Sequence, residues 1–223
     1  MTVAAAAADP GRRSAPWPWS AVVVAVLAGA YFALGIRYTV GWESGWIDSG
    51  LVVYGSWRVA DGALPYRDFD HVYGPAVFFW NGALLRAFGA DLHVIRASLV
   101  VVKTLLAVGV HALATAAAGR TWAAVAATGF LVVVWGAPLW LFAEPYAQHY
   151  GVLLAVAGAA AFLAMPARPY VAALLAGLSF GCAAAFKLTC GVVGLSAVVL
   201  WILADSAPDQ GSAAAPRRTS VRW

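Results

Sequence analysis

HVIRASLVVVKTLLAVGVHALATAAA, running from His93 to Ala118, decides the fold class of this chain. An apolar run longer than the roughly 20 residues needed to cross the hydrocarbon core of a bilayer reads as a membrane-spanning helix. Its interruptions are Arg96, Lys103 and His111, spaced by seven and eight residues. At about 100° per residue this spacing sets all three on one stripe of a helix. With Arg96 at the external end of the span, Lys103 lies roughly 10 Å deeper at about 1.5 Å per residue. Ionisable side chains within a membrane segment are functional-site candidates by default. The stripe reads either as a surface for the phosphate of a membrane lipid, or as a Lys103 that snorkels or pairs with a carboxylate.

The same pattern recurs on both sides of this run. Further spans are expected at Trp17 to Ile36, Thr121 to Ala143, His149 to Met165, Tyr170 to Phe186 and Cys190 to Ala204. The expected fold is therefore an all-α polytopic membrane protein of about six transmembrane helices, occupying residues 17–204. Composition agrees: 63% of residues are hydrophobic and 11% charged, with a mean hydropathy of +0.79. The net charge is a modest +4, and the arginines fall in short connectors rather than on one face, which argues against nucleic-acid binding. Cys182 and Cys190 lack metal-ligand spacing and read as buried packing thiols.

Arg12 and Arg13 precede the first span without a small-residue cleavage site, which reads as a signal anchor with residues 1–16 disordered in the cytoplasm. The polar tail, residues 205–223, reads as disordered as well. The segment Gly74 to Gly89 is apolar, but it is too short for a full crossing and carries Asn81 and Arg86. If it lies in or dips into the interface, Arg120, Arg168 and the Arg217-Arg218 pair all fall on the cytoplasmic side with Arg12 and Arg13. The first external loop then spans residues 37–92, holds most of the acidic residues and carries juxtamembrane helices. Glu144 and Lys187 share its side.

Within this loop a helix is expected from Leu51 to Ala60, with Asp48 ahead of it. Leu51, Tyr54 and Trp57 would lean on the membrane surface. Ala63 to Tyr66 is expected to be extended, because Pro65 disfavours a helical residue before it. Asp48 reads equally as a general base for an acceptor hydroxyl or amine and as a helix N-cap. Glu144 sits at the boundary of an apolar span or faces a cavity, and His149 follows five residues later, as a pocket neighbour or a solvated interfacial histidine. Asp68, Asp70 and His71 have the chemistry of divalent-metal ligands, so a metal is left open with no cofactor certain. Tyr66, Tyr73 and Trp80 read as interfacial anchors or as stacking surface for a sugar. Lys187 is a further external cation, or a capping lysine between two spans.

The order of these features resembles the N-terminal part of the GT-C membrane glycosyltransferases. The resemblance is particularly to the branch that holds the protein O-mannosyltransferases and the bacterial aminoarabinose transferases of lipid A. The residues that carry the resemblance are Asp48, Gly62 with Pro65, Tyr73-Gly74-Pro75, Phe88-Gly89 leading to Arg96-Ala97, Glu144-Pro145-Tyr146 and Phe186-Lys187 through Gly191. The resemblance implies Asp48 as catalytic base, with Glu144 as a second acidic residue where the bacterial relatives have Asp. It implies Arg96, with Lys187 at a loosely matching junction, as groups at the donor; Lys103 joins them from its place on the stripe. The acceptor or sugar pocket would draw on Asp70, His71, Tyr73, Tyr66 and His149. Where relatives carry Glu-Lys-Pro-Pro, this chain has His71-Val72-Tyr73-Gly74-Pro75.

The implied partners are a polyprenyl-phosphate sugar donor, membrane lipids and an envelope acceptor, at the external face of a bacterial cytoplasmic membrane. The expected activity is sugar transfer from that donor to an envelope lipid, glycan or protein. The polar tail soon after the last span also fits a truncated or partial enzyme. Two other classes stay open: a non-catalytic membrane scaffold or pseudoenzyme, and an anion-transporter component built on the Arg96, Lys103 and His111 stripe.

Overall fold

The computed structural model of the chain describes residues 19–39, 47–118, 125–130 and 146–206, and the account below concerns these residues. Seven named α-helices follow one another: α1 (Trp19–Leu34), α2 (Ile47–Ala60), α3 (Pro75–Phe88), α4 (Leu92–Ala118), α5 (Ala147–Ala164), α6 (Pro169–Phe186) and α7 (Leu188–Ser206). A π-helical turn, Gly35–Thr39, extends α1, and residues 125–130 are also helical. Among the described residues the only β pairing is the isolated Pro65 to Phe69 bridge. A chain this apolar forms helices because a bilayer offers no water to satisfy backbone polar groups, and only intra-helical bonding satisfies them within one segment.

Three helices are long and apolar enough to cross a membrane: Leu92–Ala117, Ala147–Ala164 and Pro169–Phe186. Ala21–Arg37 and Leu188–Ala204 are shorter apolar helices. Leu105, Leu174, Leu178, Val193, Leu200 and Leu203 are all exposed on the outer surface, a continuous apolar skin that lipid covers without cost and water does not. The chain is a membrane protein. The helix ends fall within two residues of the expected spans at α5 through α7, because Pro169 begins α6 at a tolerated first-turn position and Lys187 is extended, at φ −153° and ψ 117°. That one residue separates α6 from α7.

Small residues set the helix directions, as is usual where lipid gives no hydrophobic drive to association. A side chain at Gly158 of α5 would meet Ser179 at 2.8 Å, and one at Gly191 of α7 would meet the Phe180 carbonyl oxygen at 2.5 Å. Gly151 sits against Cys190, Gly194 against Ala155, and Gly109 against Val156. These pairings make α4, α5 and α7 parallel to one another, with α6 antiparallel between α5 and α7. Phe162, Ala172, Ala176, Phe180 and Val198 form the core at one end. At the other end, Val52, Val77, Phe78, Leu99, Ala147 and Tyr150 join α2, α3, α4 and α5 in a second core.

Helix α3 has 14 residues, about 21 Å at 1.5 Å per residue, against a hydrocarbon core of about 30 Å. It lies beside α2 in the same direction. Gly55 faces Phe78, Gly82 faces Ser56 and Val59, and Arg86 at the far end donates from Nε to the Ala60 carbonyl at 2.5 Å. The arginine thus satisfies a carbonyl that the last turn of α2 leaves without an intrahelical partner. Parallel neighbours require the connection to travel back the length of α2. Residues 61–74 do so with Phe69 packed on the core.

Three expectations are corrected. Helix α2 begins at Ile47 rather than Leu51, so Asp48 lies in its first turn and is not its N-cap. Ala63 to Tyr66 is not extended: Tyr66 has φ +65°, and its N–H donates to the Phe69 carbonyl at 2.8 Å in a tight reversal. Cys182 is exposed, and only Cys190 is buried. The expected Thr121 to Ala143 span lies outside the described residues except at 125–130, as do residues 1–16, Glu144 and residues 207–223.

Candidate functional site

The ends of the parallel helices that carry polar side chains are the first turns of α5 and α7 and the upper half of α4. Helix α4 has 27 residues, about 40 Å at 1.5 Å per residue, so it outreaches a hydrocarbon core of about 30 Å by roughly two turns. Lys103 on it is 4% exposed and Arg96, two turns above, is 5% exposed. Both side chains enter the bundle rather than lipid, as intramembrane charges do when protein surrounds them.

His149, in the first turn of α5, lies within Coulomb range of both Lys103 and Lys187. Its Nε2 is shut off from solvent, which corrects the solvated interfacial reading. The Lys187 side chain leaves the α6–α7 junction, donates from Nζ to Gln148 Oε1 at 3.2 Å and lies 5.5 Å from the centre of the Tyr73 ring. Tyr73 is held in turn by its N–H, which donates to His71 Nδ1 at 3.2 Å, and by stacking on the His71 ring at a centroid distance of 5.1 Å. The Tyr66 hydroxyl donates to the Tyr73 carbonyl. Next to Tyr73, the Gly74 N–H donates to the Phe186 carbonyl at 3.1 Å, so the loop is moored to the hairpin tip that carries Lys187.

A polar pair lies beneath this layer. Tyr150 is stacked on Phe186 at 5.2 Å, and its hydroxyl donates to Asn81 Oδ1 at 3.1 Å. Asn81 is fully buried. Beside it, Trp80 donates from Nε1 to Ser98 Oγ at 3.3 Å. Gln148 and Ser98 were not anticipated from sequence, although a lone glutamine opening an apolar helix beside His149 was the available signal. Asn81 was visible only as an interruption in an apolar segment.

Of the expected site residues, the structure gathers His71, Tyr73, Lys103, His149 and Lys187. Arg96 lies on the same helix above them. Asp68 is directed elsewhere: Oδ2 accepts from the Leu64 N–H at 2.7 Å and from Arg67 Nη2 at 2.8 Å, and Oδ1 accepts from Arg67 Nε at 2.9 Å. Those donors, the Arg67 guanidinium first, hold the Asp68 carboxyl at about 2 and leave it a loop-building residue. Asp70 is exposed, and among the described residues no three His, Cys, Asp or Glu side chains come together as metal ligands. Above α4, Asp91 Oδ1 accepts from the His93 N–H at 2.9 Å, which with the His93 imidazole lowers the Asp91 pKa; it acts as a capping carboxylate rather than a site group.

The arrangement concentrates lysine and histidine side chains, one glutamine amide and one tyrosine ring at the end of an apolar bundle. In such surroundings two unit charges about 4 Å apart attract by roughly 4 kcal/mol at an effective dielectric of about 20. The chemistry of this cluster is complementary to an anion. No family model matches the chain, and no curated protein or solved structure matches it either.

Proposed function

We infer that the protein transfers a sugar from a polyprenyl-phosphate donor to an envelope acceptor at the external face of a multi-pass membrane domain. The observation that carries this reading is the Lys187 ammonium, 3.2 Å from Gln148 Oε1 and 5.5 Å from the centre of the Tyr73 ring, in a bundle whose helix α4 buries a second lysine, Lys103. Lysines at the head of an apolar bundle stabilise the phosphate that leaves as the sugar departs, since fixed cations aimed at developing negative charge lower the barrier. Tyr73 and His71 form a ring stack for the sugar or acceptor. Asp48 serves as the base that deprotonates the acceptor.

The topology has six crossings. The parallel directions of α4 and α5 support the expected span at Thr121 to Ala143. Arg168 is at the α5–α6 turn, the end opposite Lys187. Under the positive-inside rule this reading assigns it to the cytoplasmic side, with the loop and the lysines outside. The test is transfer from a radiolabelled polyprenyl-phosphate sugar into the envelope fraction. Asp48→Asn is expected to abolish it at unchanged expression, and wild-type transfer by that variant overturns the assignment.

One observation favours a second reading. Arg96 and Lys103 are both buried on one face of a spanning helix, as in an anion path. Anion flux into proteoliposomes without any sugar donor, lost in Lys103→Met, would select a transporter instead.

A further inference from the structure

Among the described residues, Tyr66 is the one residue other than glycine with a positive φ, +65°. In this left-handed region a Cβ crowds the neighbouring carbonyl, so glycine is the default and asparagine the usual exception. A tyrosine persists there when its side chain does something that those smaller residues cannot, and outliers of this kind gather at functional sites. Burial is not the reason, since Tyr66 is 50% exposed. Its hydroxyl is the reason: it donates to the carbonyl of Tyr73, seven residues on.

The reversal itself is built without that hydroxyl. The Leu64 N–H donates to Asp68 Oδ2 at 2.7 Å, the Asp68 N–H to the Leu64 carbonyl at 2.9 Å and the Tyr66 N–H to the Phe69 carbonyl at 2.8 Å. Phe69 anchors the turn, edge-on to Phe78 at a centroid distance of 5.4 Å. Past Phe69 the loop comes to the surface, with Asp70 and Val72 exposed, before it meets the bundle at Gly74. Tyr73 and Gly74 share one peptide group, a rigid plane whose C=O and N–H point opposite ways. The Tyr66 hydroxyl holds its oxygen end, and its N–H end donates to the Phe186 carbonyl at 3.1 Å. Fixing one end of the plane aims the other.

We propose that Tyr66 is a positioning residue whose hydroxyl orients the Tyr73–Gly74 peptide group, and so sets how the loop docks on the α6–α7 tip. Lys187 follows Phe186 directly at that tip, and its Nζ lies 5.5 Å from the centre of the Tyr73 ring. A peptide group free to rotate releases the Phe186 carbonyl and lets the ring and the ammonium drift apart. The consequence for turnover rests on the part given to Lys187 and Tyr73 in the proposed reaction; the orienting of the peptide group does not.

The test is amide hydrogen exchange at Gly74, read by mass spectrometry with electron-transfer fragmentation on the full-length chain in dodecyl maltoside micelles. Tyr66→Phe keeps the ring and removes the hydroxyl; Tyr66→Gly removes both and relieves the backbone. Both variants are expected to keep a cooperative melting transition, to exchange Gly74 at least tenfold faster than the wild type and to leave exchange at Asp68 unchanged. In the transfer assay both are expected to lower kcat at least tenfold with little change in KM for the donor, because Lys187 acts on charge that develops only as the sugar departs. A ring that merely anchors the loop or stacks on a ligand predicts wild-type Gly74 exchange in Tyr66→Phe, and a residue that merely turns the chain predicts it in Tyr66→Gly. Either result overturns the proposal, as does a wild-type kcat in a variant whose Gly74 exchange has risen. Exchange involves no sugar, so faster Gly74 exchange in the variants of a chain that transfers none would count against the proposed reaction and leave the orienting role standing.

Discussion

Replacing Gly74 by alanine is expected to unmoor the loop from the bundle. Gly74 has φ −62° and ψ 158°, a conformation open to any residue, so backbone freedom is not why glycine stands there. Space is the reason. A Cβ at this position would fall on the carbonyl of Ala185, with its carbon at 2.7 Å, and 3.0 Å from the Phe186 carbonyl oxygen. Backbone atoms at the end of a packed helix cannot yield as a flexible side chain does, so the loop must move away. Overpacking of this kind costs about 1–3 kcal/mol, and the Gly74 to Phe186 hydrogen bond adds roughly 0.5–1.5 kcal/mol. A loss of about 2–4 kcal/mol corresponds to a midpoint roughly 5–15 °C lower by the scaling of soluble domains of this size. The assay is thermal unfolding in detergent, with Gly177→Ala as control. A Cβ at Gly177 meets nothing within 4 Å, and replacing a mid-helix glycine by alanine is expected to stabilise by about 0.5–1 kcal/mol. If Gly74→Ala melts with the wild type, the close approach between loop and hairpin tip does not exist.

Other outcomes follow from single contacts. Tyr150→Phe leaves the buried Asn81 Oδ1 without the hydroxyl that donates to it and is expected to cost about 1–3 kcal/mol, with part of the loss recovered in the double variant that adds Asn81→Leu; thermal unfolding of both variants beside the wild type checks this. The Asp68 carboxyl, held down from 3.8 to about 2 by Arg67 and the Leu64 N–H, contributes stability that is present above about pH 4 and lost as pH falls towards about 2. Amide exchange at Leu64 is expected to stay slow at pH 5 and to accelerate across that window; in Asp68→Asn it is expected to be fast already at pH 5. Lys103→Met is expected to abolish sugar transfer, measured beside an expression and monodispersity control, because the proposed reaction relies on this buried cation to stabilise the leaving phosphate.

Much of the site was legible before any tertiary information, for a definite reason. Lys103 and Arg96 stood out because charge in an apolar run needs an explanation, and both are buried. Lys187 stood out between two spans, and Tyr73 and His71 stood out in a loop dense with polar groups. Spacing did not reveal that Asp68 and Asp70 divide, one pinned to Arg67 and Leu64 and the other exposed. A D-x-D pair in a loop reports nothing about where the chain reverses, and here Tyr66 at φ +65° turns it. Gln148 was hidden for the opposite reason: a single amide in a polar turn has no pattern until a lysine 39 residues away reaches it.

Sequence by itself determined the membrane class, the helical state and the ends of α5 through α7. These depend on local physics: a chain that must satisfy its backbone without water folds into helices wherever it is apolar, and Pro169 marks the start of one of them. Only the tertiary structure decided which side chains meet. That depends on helix direction and rotation, which are set by close approaches at Gly151, Gly158, Gly191 and Gly194. Glycine is silent in hydropathy and periodicity, so the contacts that bring Lys187 to Gln148 and Tyr73 leave no trace in the one-dimensional pattern.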